Sequence, residues 1–267
     1  MTSPRHQRAA FWDQSAGIRD EWERHGLACG SADRAAAEQA ITTLYAEIGR
    51  RRPRFVWVRS PHEAQPLVGH LPTLQDLFAL VTTKEPGAGA PIASDLATAV
   101  SRLRGCMDAQ LAAPWFDPPP PKYPKGEPRP RLPLDLALAR GVPFAEILRE
   151  HVREALFTSL GRGYAIAAKR SLVGDDGPVC WYGQQEAHWI AYYDVWRRMG
   201  LARYGDSVDA AFDTWQTIAR SAGWFWPDET VCVVSERPVY GRTFADGWTA
   251  PAPEATTRVP VGVQRRK

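Results

Sequence analysis

The sequence lacks the features that define several large protein classes. It has no apolar run long enough to span a membrane, and residues 1–12 carry no apolar segment behind Arg5 and Arg8, so we expect neither a membrane span nor a signal peptide. Its four cysteines stand apart without CxxC spacing, which argues against a zinc ribbon and a redox dithiol. Reduced, scattered cysteines are typical of cytoplasmic proteins. We therefore expect a cytoplasmic location.

Signature motifs of common enzyme classes are also missing. The chain has no GxSxG, GxxxxGK[ST], HExxH or EF-hand string, so serine hydrolase, P-loop, zincin and calcium-sensor chemistry have no motif to support them. None of the six histidines forms an i,i+4 pair, and no metal site or cofactor is predicted. The glycines of 161–163 follow a helix rather than a strand, so they do not form a dinucleotide loop.

Charge of one sign is not in large excess. Lys and Arg total 33 against 30 Asp and Glu, for a formal net charge of +3. Four arginines cluster at 50–54, after a predicted helix, where cations complement the helix dipole. The sequence therefore does not indicate nucleic-acid binding.

Proline, by contrast, is abundant and concentrated. Nine of the twenty residues of 114–133 are proline, so this stretch can be neither helix nor central strand. It is either a linker between domains or a strap over the surface of one domain. Its PxxP pattern also leaves open a protein partner.

Composition changes along the chain predict its organisation. We expect an N-terminal arm or helix over 1–30, a helical part over 31–113, the Pro-rich linker or strap over 114–133, an aromatic-rich α+β part over 134–240 and a polar tail over 241–267. Residues 31–240 are expected to form one compact domain. At this length about 70% of the unfolded chain's surface can be buried, so no metal or disulfide is needed to hold the core.

Apolar periodicity predicts a mainly α, α+β fold. Apolar residues recur at three and four over 31–50 and over 143–160, and the glycines of 161–163 are expected to break the second helix. Phe55–Val58 and Thr230–Val234 have the length and composition of buried strands. We therefore expect helices packed around a small sheet of one or two short strands.

Tryptophan is concentrated in the second half of the chain. Six of the eleven tryptophans lie between Trp181 and Trp226. The predicted helix over 184–199 carries an aromatic stripe at three and four spacing, and a following helix is expected to end at Gly223 as its left-handed C-cap. Trp224–Pro227 is predicted to be a turn, because Trp226 precedes a proline.

Three blocks of this region resemble a family of uncharacterised proteins from actinobacteria and other high-GC bacteria. In that family they read roughly GQxxA, GWWWP and SERP, in the same order. The corresponding blocks here are Trp181–Trp189, Gly223–Pro227 and Ser235–Pro238. Val56–Pro61 is also similar to the family's VWVDSP element, with Arg59 where an acidic residue is usual. The resemblance, to a domain of unknown function, implies where a site lies and no activity.

Polar groups beside the aromatic stripe predict a ligand pocket. Two amides, an imidazole and a phenol recur along one side of the helix, beside indole rings. Such groups orient a polar, flat or sugar-like ligand, although they also serve to cap helices and satisfy buried backbone groups. The predicted binding residues are Gln184, Gln185, Trp189, Tyr192, Trp224, Trp226, Arg237 and Ser60.

His188 is the candidate general acid or base, since the reference pKa of histidine lies near ~6.5. Asp194 faces another side of the same helix and is expected to form a solvated pair with Arg198. The expected carboxylate partner of His188 is therefore Glu229 or Glu236.

Two function classes remain. The first is a cytoplasmic bacterial protein that recognises a small molecule or peptide in an aromatic-lined pocket, built by the Gln184–Tyr192 helix, the Trp224–Pro227 turn and the Ser235–Pro238 strand end. The alternative is a small-molecule or peptide-modifying enzyme of specialised metabolism that uses His188. An enzyme requires the three blocks to converge. At the strand end, Arg237 could instead form an ion pair with a carboxylate.

Overall fold

The computed structural model of the chain describes residues 4–73, 75–76, 91–117, 132–173 and 177–239. The expectations for Pro-rich residues 118–131 and for the tail from 240 onward lie outside the described residues. The helices are α1 (Pro4–Gly26), α2 (Arg34–Glu47), α3 (Pro61–Val68), α4 (Ile92–Asp108), α5 (Leu134–Ala139), α6 (144–173), α7 (Ala187–Arg198) and α8 (Asp206–Ser221). The strands are β1 (Arg54–Val58), β2 (Tyr182–Gly183), β3 (Trp224–Pro227) and β4 (Val231–Ser235).

A small four-stranded sheet lies among these helices, in the order β1-β4-β3-β2. The two strands predicted from β-branched and aromatic composition are β1 and β4, and they pair in parallel, with Phe55 opposite Cys232. Strand β3 is antiparallel to both β4 and β2. The mainly α, α+β fold class is thus confirmed, with two more strands than the sequence suggested.

Strand β3 was predicted as a turn, and that prediction is wrong. Trp224–Pro227 is fully buried and pairs with β4. The preference of Trp226 for extended backbone before a proline suits a strand as well as a turn. Pro227 is the last residue of the strand, where its missing N–H does not interrupt the ladder.

The two faces of the sheet belong to two hydrophobic clusters, as the alternation of side chains along a strand requires. Phe55, Trp57, Phe225, Cys232 and Val234 join the main core with α1, α2, α7 and α8. The opposite face joins a second core with α3 and the end of α6; its strand residues are Val56, Val58, Trp224, Trp226, Val231 and Val233.

Helix α1 is part of the main core rather than an arm beside it. Trp12, Ile18 and Trp22 are buried there, and Trp22 has no exposed surface. In the same core the rings of Trp189 and Trp215 meet edge to face, 5.9 Å apart. Aromatic pairs of this kind add about 1 kcal/mol each beyond the area they bury.

Helix α6 does not break at its glycines, contrary to the sequence prediction. It continues in π-helical form over Arg149–Glu154 and Phe157–Ala165 before returning to α-helix at Ile166. A Cβ on Gly161 would lie 2.8 Å from the ring of Phe157. Glycine at this position therefore makes room for the aromatic ring instead of ending the helix.

Several global features can be stated for the described part of the chain. None of its helices combines the length and apolar character needed to cross a bilayer. Its His, Cys, Asp and Glu side chains form no group of three or more that could hold a metal ion. None of the four cysteines, all at described positions, forms a disulfide.

Candidate functional site

The three sequence blocks of the aromatic-rich region meet through their backbones. The Gln184 N–H donates to the carbonyl of Gly223 at 3.1 Å, and the Gly223 N–H donates to the carbonyl of Ser235 at 3.2 Å. Gly223 is not the left-handed cap that the sequence predicted, because α8 ends at Ser221 and its C-cap residue, Ala222, has extended backbone. The convergence that a shared site requires is therefore present at the level of the main chain.

The aromatic side chains of these blocks do not converge. Trp224 and Trp226 face the second core, whereas Trp189 and Tyr192 face the main core on the other side of the sheet. Each of the four is at most 1% exposed. They fill two separate cores and do not line one pocket.

Three other predicted binding residues satisfy the backbone. The buried Gln184 amide donates to the carbonyl of Gly26 at 2.8 Å, and the Gln185 amide donates to that of Trp181 at 3.4 Å. Ser60 caps α3 by accepting the N–H of Glu63. These three side chains therefore cap a helix or satisfy backbone groups, which was the alternative to a ligand role.

Arg237 forms no ion pair with a carboxylate among the described residues. The ion pair predicted for the Ser235–Pro238 strand end is therefore not found among them. The side chain is 7% exposed, and its guanidinium donates to the carbonyl of Ala219 at 3.5 Å. Ala219 lies in the last turn of α8, where the helix dipole is negative and stabilises a cation. Burial lowers the pKa of Arg237.

The carboxylates expected to assist His188 are engaged elsewhere. Glu229 pairs with Arg50 at 3.0 Å, and Glu236 pairs with Arg34 while accepting the N–H of Ala32. Neither contacts His188, so the predicted dyad is wrong.

Asp194 is also placed differently from the prediction of a solvated pair. It is 1% exposed and accepts hydrogen bonds from the Trp22 indole at 2.8 Å and from the Gln216 amide at 3.0 Å. Arg198 approaches the same carboxylate at 3.4 Å. Asp194 thus joins α1, α7 and α8 inside the protein.

The groups that do surround His188 come from three helices. We define the arginine–histidine site as Arg104 of α4, Arg153 of α6, and Glu186 and His188 at the start of α7, extended by Arg149 of α6, which interacts with Tyr192 one turn after His188. Protein atoms enclose the side chains of Glu186 and His188, yet each keeps part of its surface exposed. The site is therefore deep but accessible from outside.

His188 is held as a neutral ring with one nitrogen available. Its Nδ1 lies 2.9 Å from the carbonyl oxygen of Gln185, which can only accept, so Nδ1 carries the proton. Burial, together with the positive charges of Arg153 and Arg104, lowers the pKa of His188 to about 4, against the opposing effect of that carbonyl. At neutral pH its Nε2 is thus a hydrogen-bond acceptor.

Glu186 has the opposite shift. Burial raises its pKa to about 7, although a hydrogen bond from the Trp189 indole and the charge of Arg104 act in the other direction. Near neutral pH the carboxyl group is therefore divided between its protonated and its ionised form.

The arginines of the site have no ion-pair partner among the described residues. Arg104 lies with its guanidinium carbon 6.0 Å from the centre of the Trp189 ring. Arg149 and Arg153 stand four residues apart on the π-helical part of α6, and Arg149 lowers the pKa of Tyr192 against the larger effect of burial. Positive charge therefore accumulates around a neutral imidazole.

The π-helical geometry of α6 shapes one wall of this site. The Phe157 ring packs against His188 with ring centres 5.2 Å apart, in the space that Gly161 leaves open. π-Helical segments are rare and are frequently found at functional sites.

Sequence reasoning found His188 and missed the rest of the site. Glu186 lies in the same sequence block and could have been found from its position beside His188. Arg149 and Arg153 lie off the apolar face of the helix predicted over 143–160, and nothing in their spacing marks them as site residues. Arg104 carries no local signal, since only the packing of α4 brings it near.

Comparison with known proteins adds no relative. No protein-family model matches the chain, and neither the curated proteins nor the solved structures include a match. The resemblance of the three blocks therefore stays a prediction.

Proposed function

We propose that this protein recognises a small anionic ligand with a flat, polar body at the arginine–histidine site. The observation that carries the proposal is that Arg104 and Arg153, which have no ion-pair partner in the described chain, lie beside a histidine whose Nε2 is the acceptor nitrogen, with Arg149 one turn further along at Tyr192. A cytoplasmic location and bacterial specialised metabolism belong to the same proposal.

The charge of the site supports an anion. Arg104 and Arg153 approach His188 from different helices, and both lower its pKa. Carboxylate and phosphate groups are the usual partners of arginine, because the planar guanidinium can donate two parallel hydrogen bonds to them. A bound anion would supply the counter-charge that the described protein groups do not.

The remaining groups support a polar, flat body. Nε2 of His188 accepts a hydroxyl or amide donor, and Glu186 in its protonated form can donate a hydrogen bond. Phe157 offers an aromatic ring beside the imidazole. A few polar groups next to apolar surface are typical of small-molecule sites.

A second candidate function is acid–base catalysis. Its basis is the pair of opposite pKa shifts: about 7 for Glu186 and about 4 for His188. Carboxyl and imidazole groups whose environments separate their pKa values often act as acid and base. In this alternative Glu186, two residues before His188, takes the role first predicted for Glu229 or Glu236, and an enzyme would convert the ligand that it binds.

Mass spectrometry of the purified protein tests the proposal. Protein expressed in a bacterial host is analysed intact under native conditions, then denatured, and the released small molecules are identified. The expected result is an anionic molecule that accompanies the wild type and is lost in Arg153→Gln and in His188→Phe. His62→Gln, at an exposed histidine of α3, should retain it.

Three outcomes separate the possibilities. Equal recovery from the wild type and both site variants would overturn the proposed location. Conversion of the recovered molecule by the wild type but not by His188→Gln would favour the enzyme. A peptide among the released molecules would favour the recognition of a peptide over that of a small molecule.

A further inference from the structure

A cavity of about 170 Å³ lies between α3 and the face of the sheet that joins the second core. It shares no lining residue with the arginine–histidine site. Its floor is formed by alternate residues of three neighbouring strands, and α3 with the residues after it forms the roof. The floor residues are Arg54, Val56, Trp226, Val231 and Val233. The roof residues are Leu67, Val68, His70 and Leu71.

The size and lining of the cavity restrict what it can hold. An engineered protein cavity of about 150 Å³ with apolar walls binds benzene, so a volume of 170 Å³ accommodates one six-membered ring or a short branched chain. The apolar walls include the ring of Trp226, which is 1% exposed. The body of an occupant is therefore apolar and small.

The polar groups at the rim decide its charge. Asp228 is already satisfied, because one carboxylate oxygen lies 3.1 Å from His70 Nε2 and the other accepts the N–H of Glu229. Arg54 is exposed and has no hydrogen-bonded or ionic side-chain partner among the described residues. Among the charged groups at this rim, the one with unused hydrogen-bonding capacity is thus the guanidinium of Arg54.

We infer that the cavity is a second ligand site, which takes a small aromatic or branched-chain carboxylate with its apolar body against the apolar lining and its carboxylate on Arg54. An exposed guanidinium beside an apolar hole suits such a molecule, since the ring leaves water while the charge stays at the rim. This inference does not depend on the proposed function, because the two sites share no residue.

Fluorine NMR of protein labelled with 5-fluorotryptophan tests the site directly. Sodium benzoate is the probe, and benzyl alcohol is the neutral ligand of similar size. The resonance of Trp226 is assigned with Trp226→Phe among the eleven tryptophans. We expect benzoate to shift that resonance with a Kd near ~1 mM and benzyl alcohol to bind about tenfold more weakly.

Variants separate the two parts of the interaction. Arg54→Met should reduce benzoate affinity to that of benzyl alcohol, whereas Arg51→Met, at another exposed arginine, should leave it unchanged. Val233→Phe should abolish both ligands by filling the cavity. Leu67→Phe makes the same test from the partly exposed roof, where a larger side chain is tolerated by the fold.

Three results would overturn the inference. The first is no shift of the Trp226 resonance at ~10 mM benzoate, and the second is a shift confined to other tryptophans. The third is an Arg54→Met variant that still prefers benzoate to benzyl alcohol.

Discussion

Individual glycines determine how closely the sequence blocks approach each other. Gly183 has a φ of 150°, and a Cβ at this position would overlap the carbonyl oxygen of Gly223. A substitution here must therefore separate β2 from the chain that enters β3. Gly183 thus has a packing reason that does not involve a ligand.

We expect Gly183→Ala to reduce the free energy of unfolding by about 3 kcal/mol, because it combines backbone strain with steric overlap. Urea unfolding followed by circular dichroism measures the change. Gly17→Ala is the matched control: its Cβ meets no atom within 4 Å, and it lies in helix α1. The control should be neutral or stabilising by about 0.5 kcal/mol. Equal effects of the two substitutions would contradict the packing argument.

The raised pKa of Glu186 makes a prediction about stability and pH. The ionised carboxyl is disfavoured in the folded state, so its contribution to stability is fully present below pH 4.5 and is lost as pH rises through about 7. The charged or polar groups that face it are Arg104 from α4, Tyr182 from β2, Trp189 from α7 and the amide of the neighbouring Gln185.

Glu186→Gln should therefore stabilise the protein above pH 7, by up to about 3 kcal/mol, and should have little effect near pH 4. Thermal unfolding across this range measures the difference. Glu63→Gln serves as the opposite case, because Arg59 lowers the pKa of Glu63, so this substitution should destabilise at neutral pH. A Glu186→Gln effect that does not change with pH would count against a buried, titrating carboxyl group.

Helices are joined in the main core by a buried carboxylate as well as by aromatic packing. Asp194 on α7 accepts hydrogen bonds from Trp22 on α1 and from Gln216 on α8. Asp194→Ala should cost about 3 kcal/mol, because both donors would be left buried without an acceptor. Asp213→Ala is the control. Asp213 is an exposed carboxylate that pairs with Arg197, which also lies 3.6 Å from Asp194, and the loss of Asp213 should change stability by less than about 0.5 kcal/mol.

A double-mutant cycle checks that the cost comes from the hydrogen bonds. Trp22→Phe removes one donor, so part of the penalty of Asp194→Ala should disappear in its presence. Additive effects of the two substitutions would mean that Asp194 does not link α1 to α7.

The sequence predicted elements well where local composition was decisive. The β-branched and aromatic runs of β1 and β4 marked them as strands, and helices α2 and α7 followed from their apolar spacing. Strand β3 was missed because its proline and neighbouring tryptophans also suit a turn. The π-helical form of α6 was missed because Gly161 is explained only by the ring of Phe157, a tertiary contact.

For the molecule as a whole, the candidate site depends on packing that no single segment encodes. The environment of His188 combines charges from α4 and α6 with a carbonyl of its own segment. The helix block that contains His188 could be identified from its polar and aromatic spacing. Its partners could not, because the sequence says nothing about which distant arginines fold against it.

The central claim is that His188 is a neutral acceptor within a positive environment. A pH titration of the histidine side chains by ¹⁵N NMR, with His188→Gln to assign the signal among the six histidines, tests it directly. We predict a proton on Nδ1 at neutral pH and a pKa of about 4, raised in Arg153→Gln and unchanged in Arg102→Gln, at an exposed arginine of α4. A proton on Nε2, or a pKa near the ordinary value of 6.5, would contradict the account.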